Sequence, residues 1–272
     1  MSTDYAPLPA PAATASPLSE RWIVALGRAA LVLLLLAAWE WSARRLGLLF
    51  VAGPWDVLQH IIEIARSGQL WTDTRATLSA TAIGFAIGWT AGVLLPFGLA
   101  ASPRATRAIE PWVIASMGIP KFALAPLLVM WFGIGLAPKI VIVAFMVFYM
   151  VFINTFAGLR SVDRRLIDMA GVVGASRRSI ARRIVWPSMQ PFVFSALKIA
   201  LPRALSAAIV GEFLVADHGL GHSIEYARQT GDTVGVFAGI VVVTVIVLLM
   251  NLALEALERR ALSWRPEARG TL

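Results

Sequence analysis

Three long stretches of this chain, residues 78–101, 140–159 and 234–254, contain no charged side chain. A helix that crosses the hydrocarbon core of a bilayer needs about 20 mostly apolar residues. Hydrophobic residues make up 58% of the 272 residues, which is more than one soluble core of this length requires, so the surplus must face lipid. Each of the three stretches therefore predicts a transmembrane helix.

Three further apolar stretches, residues 22–41, 111–135 and 192–214, contain a few charged residues. These are Arg28, Glu40, Lys121, Lys198, Arg203 and Glu212. Charges near helix ends can reach the membrane surface, and charges inside a span can face protein or water. We therefore expect an all-α membrane protein with about six transmembrane helices.

The charge of the loops predicts the orientation. The loop 160–190 contains seven arginines against two aspartates, whereas residues 216–233 contain three carboxylates against one arginine. Because cytoplasmic loops are enriched in Lys and Arg, the first loop is expected inside the cell and the second outside. Both termini then fall in the cytoplasm, while Arg44 and Arg45 fall outside, against the rule.

The predicted organisation has four parts. A disordered cytoplasmic tail (1–20) precedes the first transmembrane helix and an external segment (21–77). A core transmembrane domain (78–258) contains the loop 160–190, and a cytoplasmic tail (259–272) follows. The first twenty residues are rich in Pro, Ala, Ser and Thr and lack the basic start and apolar run of a signal peptide.

The composition argues against several kinds of site. Without cysteine, the chain cannot hold a disulfide, a cysteine-ligated metal or a cysteine nucleophile. His218 and His222 are four residues apart, but no third ligand is evident and no metal site is predicted. The arginines behind the net charge of +8 lie in loops between apolar stretches, which favours membrane orientation over nucleic-acid binding.

Glycines repeat at four-residue spacing within the stretch 78–101, at Gly84, Gly88 and Gly92. This spacing places them on one face of a helix, where a second helix can approach closely. The pattern predicts packing and gives little guide to function.

The basic loop reads as two short helices. In the first, Val162, Leu166, Met169, Ala170 and Val173 form an apolar stripe at helical period. Gly174 is expected to end that helix, Ser176 to cap the second, and Trp186-Pro187 to break it before the next span. Such a pair could lie on anionic lipid, form a solvated loop or dock a partner protein.

The loop resembles a signature of ABC importer permeases, Glu-Ala-Ala, three residues, Gly, nine residues, Ile, one residue, Leu-Pro. Here Ala170, Gly174, Ile184 and Pro187 fit that signature at its spacing, and Asp168, Met169 and Trp186 depart from it. From about residue 53 to 266 the chain is also similar to the branch that imports nitrate, sulfonates and taurine. Trp131-Phe132-Gly133-Ile134-Gly135 and Gly211-Glu212-Phe213 are among the matching segments.

The resemblance implies a type I ABC importer permease in the bacterial inner membrane, surrounded by lipid. It implies a homodimer that works with two copies of an ATPase and a solute-binding protein, and an imported solute that is small and anionic. The residues expected to contact the ATPase are Arg164, Arg165, Asp168, Met169, Ala170, Gly174, Ile184 and Pro187. The chain lacks a Gly-x-x-x-x-Gly-Lys-Ser/Thr loop, so no catalytic residue or cofactor is expected here, and ATP and Mg belong to the ATPase.

Two other classes of protein fit this sequence less well. An ion-coupled secondary transporter needs intramembrane carboxylates, but Glu40 and Glu212 both lie near span ends, and no internal repeat is evident. A membrane-embedded enzyme needs a cluster of catalytic polar residues, and no triad, metal site or paired carboxylates are visible.

Charges inside the spans have open roles. Arg203 and Lys198 could line a translocation pathway and attract an anion. Either could instead pair with Glu212, bind helix-end carbonyls or reach the membrane surface. Lys121 follows Gly118-Ile119-Pro120, which predicts a break in the third span, and the direction it faces stays open.

Overall fold

The structure is a computed structural model that describes residues 17–100 and 102–261, and it is helical with no strand in that part of the chain. The predicted tail residues 1–16 and 262–272 lie outside the described residues, and the first helix begins at Pro17. The eleven α-helices described are α1 (Pro17–Leu46), α2 (Pro54–Arg66), α3 (Gln69–Ala100), α4 (Pro103–Ser116), α5 (Ala125–Phe132), α6 (Leu136–Ser161), α7 (Arg164–Val172), α8 (Arg177–Ile180), α9 (Trp186–Val215), α10 (Leu220–Thr230) and α11 (Thr233–Ala261).

Helices α3, α6 and α9 form the centre of the bundle. The face of α9 in the core consists of alanines, with Ala196, Ala200, Ala204 and Ala208 fully buried at every fourth position. Side chains this small let neighbouring helices approach closely, which is the usual basis of helix packing in membranes. The core is therefore held by close backbone approach as well as by large apolar side chains.

The glycine repeat of α3 lies against α6, as the spacing predicted. A Cβ atom added at each glycine would lie 2.6 to 2.9 Å from the Cβ atom of a valine on α6. The pairs are Gly84 with Val143, Gly88 with Val147 and Gly92 with Val151. Because the numbers on both helices rise together, α3 and α6 run parallel.

Parallel neighbours require the chain to cross back between them, and the bent pair of α4 and α5 makes that crossing. Arg160 at the end of α6 donates a hydrogen bond to the carboxylate of Glu110 on α4 (2.8 Å). The hydroxyl of Tyr149 in the middle of α6 donates to the hydroxyl of Ser116 (2.9 Å). Beyond the bend, Val129 on α5 reaches the level of the last residues of α9.

Five helices are long and apolar enough to cross a membrane, and there are six when this pair, bent by 82°, is counted as one span. The predicted third span (111–135) therefore exists as a broken helix, with the break next to Lys121. Helix α3 begins at Gln69, well before the predicted start at residue 78.

The bundle has two chemically different ends. At one end, α6 runs into α7 and α8 and α9 begins; we call this the basic end because it carries the arginines of the loop 160–190. At the other end, α9 leads through residues 216–219 into α10; we call this the α10 end. Helix α2 also lies at the α10 end and packs on α11 through Val57 and Ala238.

Candidate functional site

The first short helix at the basic end forms as the sequence predicted. Asp163 is the N-cap of α7, and its Oδ1 accepts a hydrogen bond from the backbone N–H of Arg165 (2.9 Å). Acceptors of this kind satisfy N–H groups that have no partner inside a helix. After α7 ends, Gly174 adopts a φ of +77°, in the left-handed region that favours glycine.

The apolar stripe of α7 is largely uncovered. Val162, just before the helix, is buried, but Met169, Val172 and Val173 are 67%, 89% and 83% exposed. Asp168 and the arginines at 164 and 165 are exposed beside them. The loop thus presents an apolar and basic surface that no other part of the described chain covers.

The second short helix continues into α9, and the predicted break at Trp186-Pro187 is wrong. Ser176 caps α8, and its Oγ accepts from the backbone N–H of Ser179 (3.3 Å). Residues 181–185 then form a π-helical turn that leads without interruption into α9.

A π turn lies directly before Pro187, which does not end the helix. In a regular α-helix the Pro187 ring would clash with the carbonyl of Arg183, four residues earlier. A π turn is wider and shifts that carbonyl, so the helix can pass the proline. Arg177–Val215 consequently form one helix of 39 residues, roughly 58 Å long at 1.5 Å per residue.

The remaining loop residues of the signature lie along this structure. Ala170 on α7 and Ile184 in the π turn are half-buried, as is Pro187 in the first turn of α9. Gly174 separates the two helical parts and has open space around its Cα. The signature therefore describes a helix, a tight turn and the start of a long helix.

Three cations inside the spans have different surroundings. Lys121 lies over the ring of Tyr149 (4.6 Å to the centroid) and donates to the carbonyl of Met117, the C-cap residue of α4 (2.5 Å). Lys198 forms an ion pair with Glu258 on α11 (2.5 Å). Arg203 is exposed and has no ion-pair partner among the described side chains.

A buried polar cluster at the α10 end was missed by sequence reasoning. Glu212, which is 1% exposed, accepts hydrogen bonds from Thr77 (2.9 Å) and the N–H of Gly221 (2.9 Å), and it pairs with Lys139 (3.4 Å). Neither Lys198 nor Arg203 reaches it. The sequence contained one indication of this cluster, the segment Gly211-Glu212-Phe213, which belongs to the family resemblance but had no role assigned to it.

Asp73 joins the same cluster from α3. Its carboxylate accepts from the N–H of Gly219 (3.2 Å) and from the hydroxyl of Ser223 (2.5 Å). Thr77 also accepts from the N–H of Leu220 (2.9 Å). The polar side chains thereby satisfy the backbone donors at the start of α10, which lack partners inside that helix.

The outer surface of α10 carries charge and an aromatic residue. Hydrogen bonds from Arg228 and Gln229 lower the pKa of Glu225 to about 2, and the same contact raises the pKa of Arg228. Tyr226 is largely exposed beside them. No group of three potential metal ligands comes together among the described residues, and His218 contributes its carbonyl to the cluster through Lys139 (3.1 Å).

Comparison with known proteins identifies the family. The model of the "Binding-protein-dependent transport system inner membrane component" matches residues 76–263, from the first turns of α3 to the end of α11. The chain belongs to this family. It is therefore a multi-pass permease subunit of an ABC importer in the inner membrane, and ATP hydrolysis takes place on a separate subunit.

Two curated relatives show the range within the family. The formylaminopyrimidine transport permease protein ThiX of Halalkalibacterium halodurans is 34% identical over 86% of this chain and 93% of its own length. The taurine transport system permease protein TauC of Escherichia coli is 30% identical over 92% of this chain and 93% of its own length. Permeases with different named solutes are thus similarly related to this chain.

A solved structure supports the fold. A bacterial ABC transporter involved in the import of the acidic polysaccharide alginate aligns with a TM-score of 0.64 and 17% identity, over 89% of this chain and 97% of that one. The permease therefore has the type I importer fold that the sequence predicted.

Proposed function

We propose that this permease, paired with a second copy of itself, forms the pathway of an importer for a small anionic solute such as a sulfonate, taurine or nitrate. In this assembly two copies of a separate ATPase bind ATP and Mg below the basic end. A solute-binding protein delivers the solute at the α10 end. Both termini and the loop 160–190 then lie in the cytoplasm, as the distribution of arginines favours.

The proposed coupling to the ATPase is supported by the uncovered surface of α7. Exposed apolar residues in a soluble environment usually mark a contact with another protein. Arginines beside them suit an ATPase surface that carries carboxylates. Because α8 continues into α9, a movement of the docked ATPase is passed directly to a helix of the bundle core. A loop that only set the orientation would need no such continuity.

The proposal of an anionic solute rests on Arg203. Contacts with α6 fix its position, because Phe192 lies against Gly158 near the basic end and Gly211 lies against Lys139 near the other end. Arg203 is therefore about 16 Å from the first contact and about 12 Å from the second, well inside the membrane. An arginine at that depth is costly against lipid, by about 2.5–3.5 kcal/mol on insertion scales, and is expected to face water or protein.

Lys198 and Lys121 differ from Arg203 in this respect. Lys198 has a carboxylate partner in Glu258, which fits the alternative of a structural ion pair. Lys121 satisfies the open end of α4, which fits a role in holding the broken crossing. Arg203 is thus the cation of the three that we place in the pathway.

The test is transport by the reconstituted complex with its ATPase and binding protein. The binding protein is first assayed against taurine, other sulfonates, nitrate, aromatic acids and thiamine precursors. With the anion that binds, Arg203→Gln is expected to lower transport strongly with normal complex yield and basal ATP hydrolysis, and Arg203→Lys to retain part of it. Arg28→Gln, an exposed arginine within the first span α1, is the matched control. Normal yield with normal transport in Arg203→Gln would exclude the pathway role, and binding only of solutes that lack an anionic group would refute the proposed solute class.

A further inference from the structure

We infer that Glu212 is a positioning residue that locks the outer end of α9 to the turn 216–221 and α10, so that the loop contacting the ATPase and the surface facing the binding protein move as one body. The inference rests on the proposed function for the identity of the two partners. Its geometric part, the rigid connection between α9 and α10, can be tested without them.

Glu212 lies where four elements meet. It belongs to α9, and its carboxylate binds Thr77 of α3, Lys139 of α6 and the backbone N–H of Gly221 at the start of α10. The partners are 135, 73 and 9 residues away in sequence. One side chain therefore fixes α10 relative to three helices of the core.

The partners of Glu212 bind the same turn a second time. Lys139 donates to the carbonyl of His218 (3.1 Å), and Thr77 accepts from the N–H of Leu220 (2.9 Å). Residues 216–218 of the turn between α9 and α10 are not helical, and Gly219 is the N-cap of α10. The conformation of the turn thus depends on these side chains, since buried backbone groups need partners.

Two glycines make room for the carboxylate. A Cβ atom at Gly221 would lie 2.8 Å from the Cβ atom of Glu212, and one at Gly219 would collide with the Glu212 carboxylate. Gly219 also has a φ of +128°, which side-chain-bearing residues rarely adopt. The backbone of the turn is pressed against Glu212, so a shift of α9 at this end must move the turn.

A stabilising role alone does not account for an ion pair at this place. Removing two charges from water is costly, and apolar residues of similar volume often stabilise as well or better. A buried polar network in which each group has a partner specifies one arrangement of the elements that it joins. Here the network joins α10 to the end of the helix Arg177–Val215, and that helix starts in the loop 160–190.

The rigid body therefore extends over both faces of the membrane. The continuous helix Arg177–Val215 starts three residues after the Gly174 turn and ends three residues after Glu212. A packed, continuous helix transmits a displacement over its whole length, whereas a flexible turn absorbs it. With the Glu212 contacts in place, closure of the ATPases displaces α10, and docking on α10 reaches the ATPases.

The direct test measures the connection between α9 and α10 by electron spin resonance. The chain has no native cysteine, so spin labels on cysteines placed at Ser195 on α9 and Gln229 on α10 of one permease copy, paired with an unlabelled copy, report one distance; both positions are exposed. Wild type is expected to give one narrow distance distribution that ATP does not change. Glu212→Gln and Thr77→Val are expected to widen it about twofold through local opening of the turn.

The functional test compares basal and stimulated ATP hydrolysis in the reconstituted importer. Glu212→Gln and Thr77→Val are expected to keep complex yield and basal hydrolysis, and to lose about tenfold of the stimulation by the binding protein, a usual size for coupling between sites. Glu255→Gln, an exposed glutamate on α11 away from the α10 end and outside the loop 160–190, is the matched control and should behave as wild type. A purely structural role would lower yield and both activities together.

The outcomes separate the inference from the proposed function. The inference is overturned if both variants keep a narrow distance distribution. It is also overturned if the assembled Glu212→Gln complex shows normal stimulation of ATP hydrolysis by the binding protein. If the complex with Glu212→Gln does not assemble, the Thr77→Val variant provides the test, because this substitution removes no charge. If no binding protein stimulates ATP hydrolysis by the wild-type complex, the proposed function is refuted. The distance measurement then still tests the rigid connection between α9 and α10.

Discussion

Replacement of Gly174 tests whether the loop 160–190 couples the permease to its ATPase. Gly174 has a φ of +77°, and a Cβ atom added there would meet nothing within 4 Å. The effect of a side chain is therefore backbone strain alone, without a clash. For an L-residue the left-handed conformation costs about 1–2 kcal/mol. A β-branched valine falls toward the upper end of the roughly 1–3 kcal/mol seen for residues in strained backbone regions.

Relief of the strain disturbs docking. When the turn leaves the left-handed conformation, α7 reorients relative to the start of α9 and the surface of α7 is misplaced, so docking must restore the turn at that cost. Because about 1.4 kcal/mol changes an equilibrium tenfold, we expect Gly174→Val to weaken ATPase association by about 5- to 150-fold. Insertion should be unaffected, since the turn lies outside the six crossings.

The matched control is Gly171, three residues earlier, in the last turn of α7. It also has open space around its Cα, but it lies in α7 with ordinary helical geometry. Gly171→Ala should therefore be neutral or stabilise the helix by about 0.5–1 kcal/mol. Gly174→Ala with the same added methyl group should weaken association, so the pair isolates the backbone conformation from the volume of the side chain.

The assay is co-purification of the ATPase with a tagged permease over a range of ATPase concentrations, followed by binding-protein-stimulated ATP hydrolysis. Wild-type association and transport in Gly174→Val would refute the argument, because strain at the turn would then have no effect on the partner. Equal loss in Gly171→Ala would also refute it, since an added methyl group on α7 would be sufficient.

Two further predictions concern packing and topology. Gly88→Leu should destabilise the bundle by about 1–3 kcal/mol or more, because a Cβ atom there already meets the backbone of α6. Gly98→Leu on the same helix meets open space and should be tolerated. Thermal unfolding of both variants in detergent checks this. Single cysteines at Ser161 and Gln229 should react with an impermeant thiol reagent from opposite sides of the membrane, Ser161 only from the cytoplasm. Labelling from one side would contradict the six crossings.

The sequence alone determined the features that depend on neighbouring residues. A bilayer imposes a length and an apolar composition on each span, so six apolar stretches could be recognised from hydropathy alone. The left-handed turn at Gly174 and the caps at Asp163 and Ser176 follow from local backbone chemistry, and the structure has the Gly174 turn and the Ser176 cap where the sequence predicted them. The glycine repeat also predicted close packing, although it could not name the partner helix.

The tertiary structure decided what depends on residues far apart in the chain. Only the register of Gly84, Gly88 and Gly92 on α6 shows that α3 and α6 are parallel and that the broken segment must cross between them. Pro187 argued for a break, but the helix continues through it after a π turn, as it also continues through Pro191 and Pro202.

Glu212 shows the same division most clearly. From the sequence it was one carboxylate near the end of a span, with Lys198 and Arg203 as candidate partners. Its actual partners, Thr77 and Lys139, lie 135 and 73 residues away and meet it only because three helices end at the same level. A hydrogen bond is specific in distance and direction but leaves no periodic pattern in sequence, so such a cluster becomes visible only when the helices are assembled.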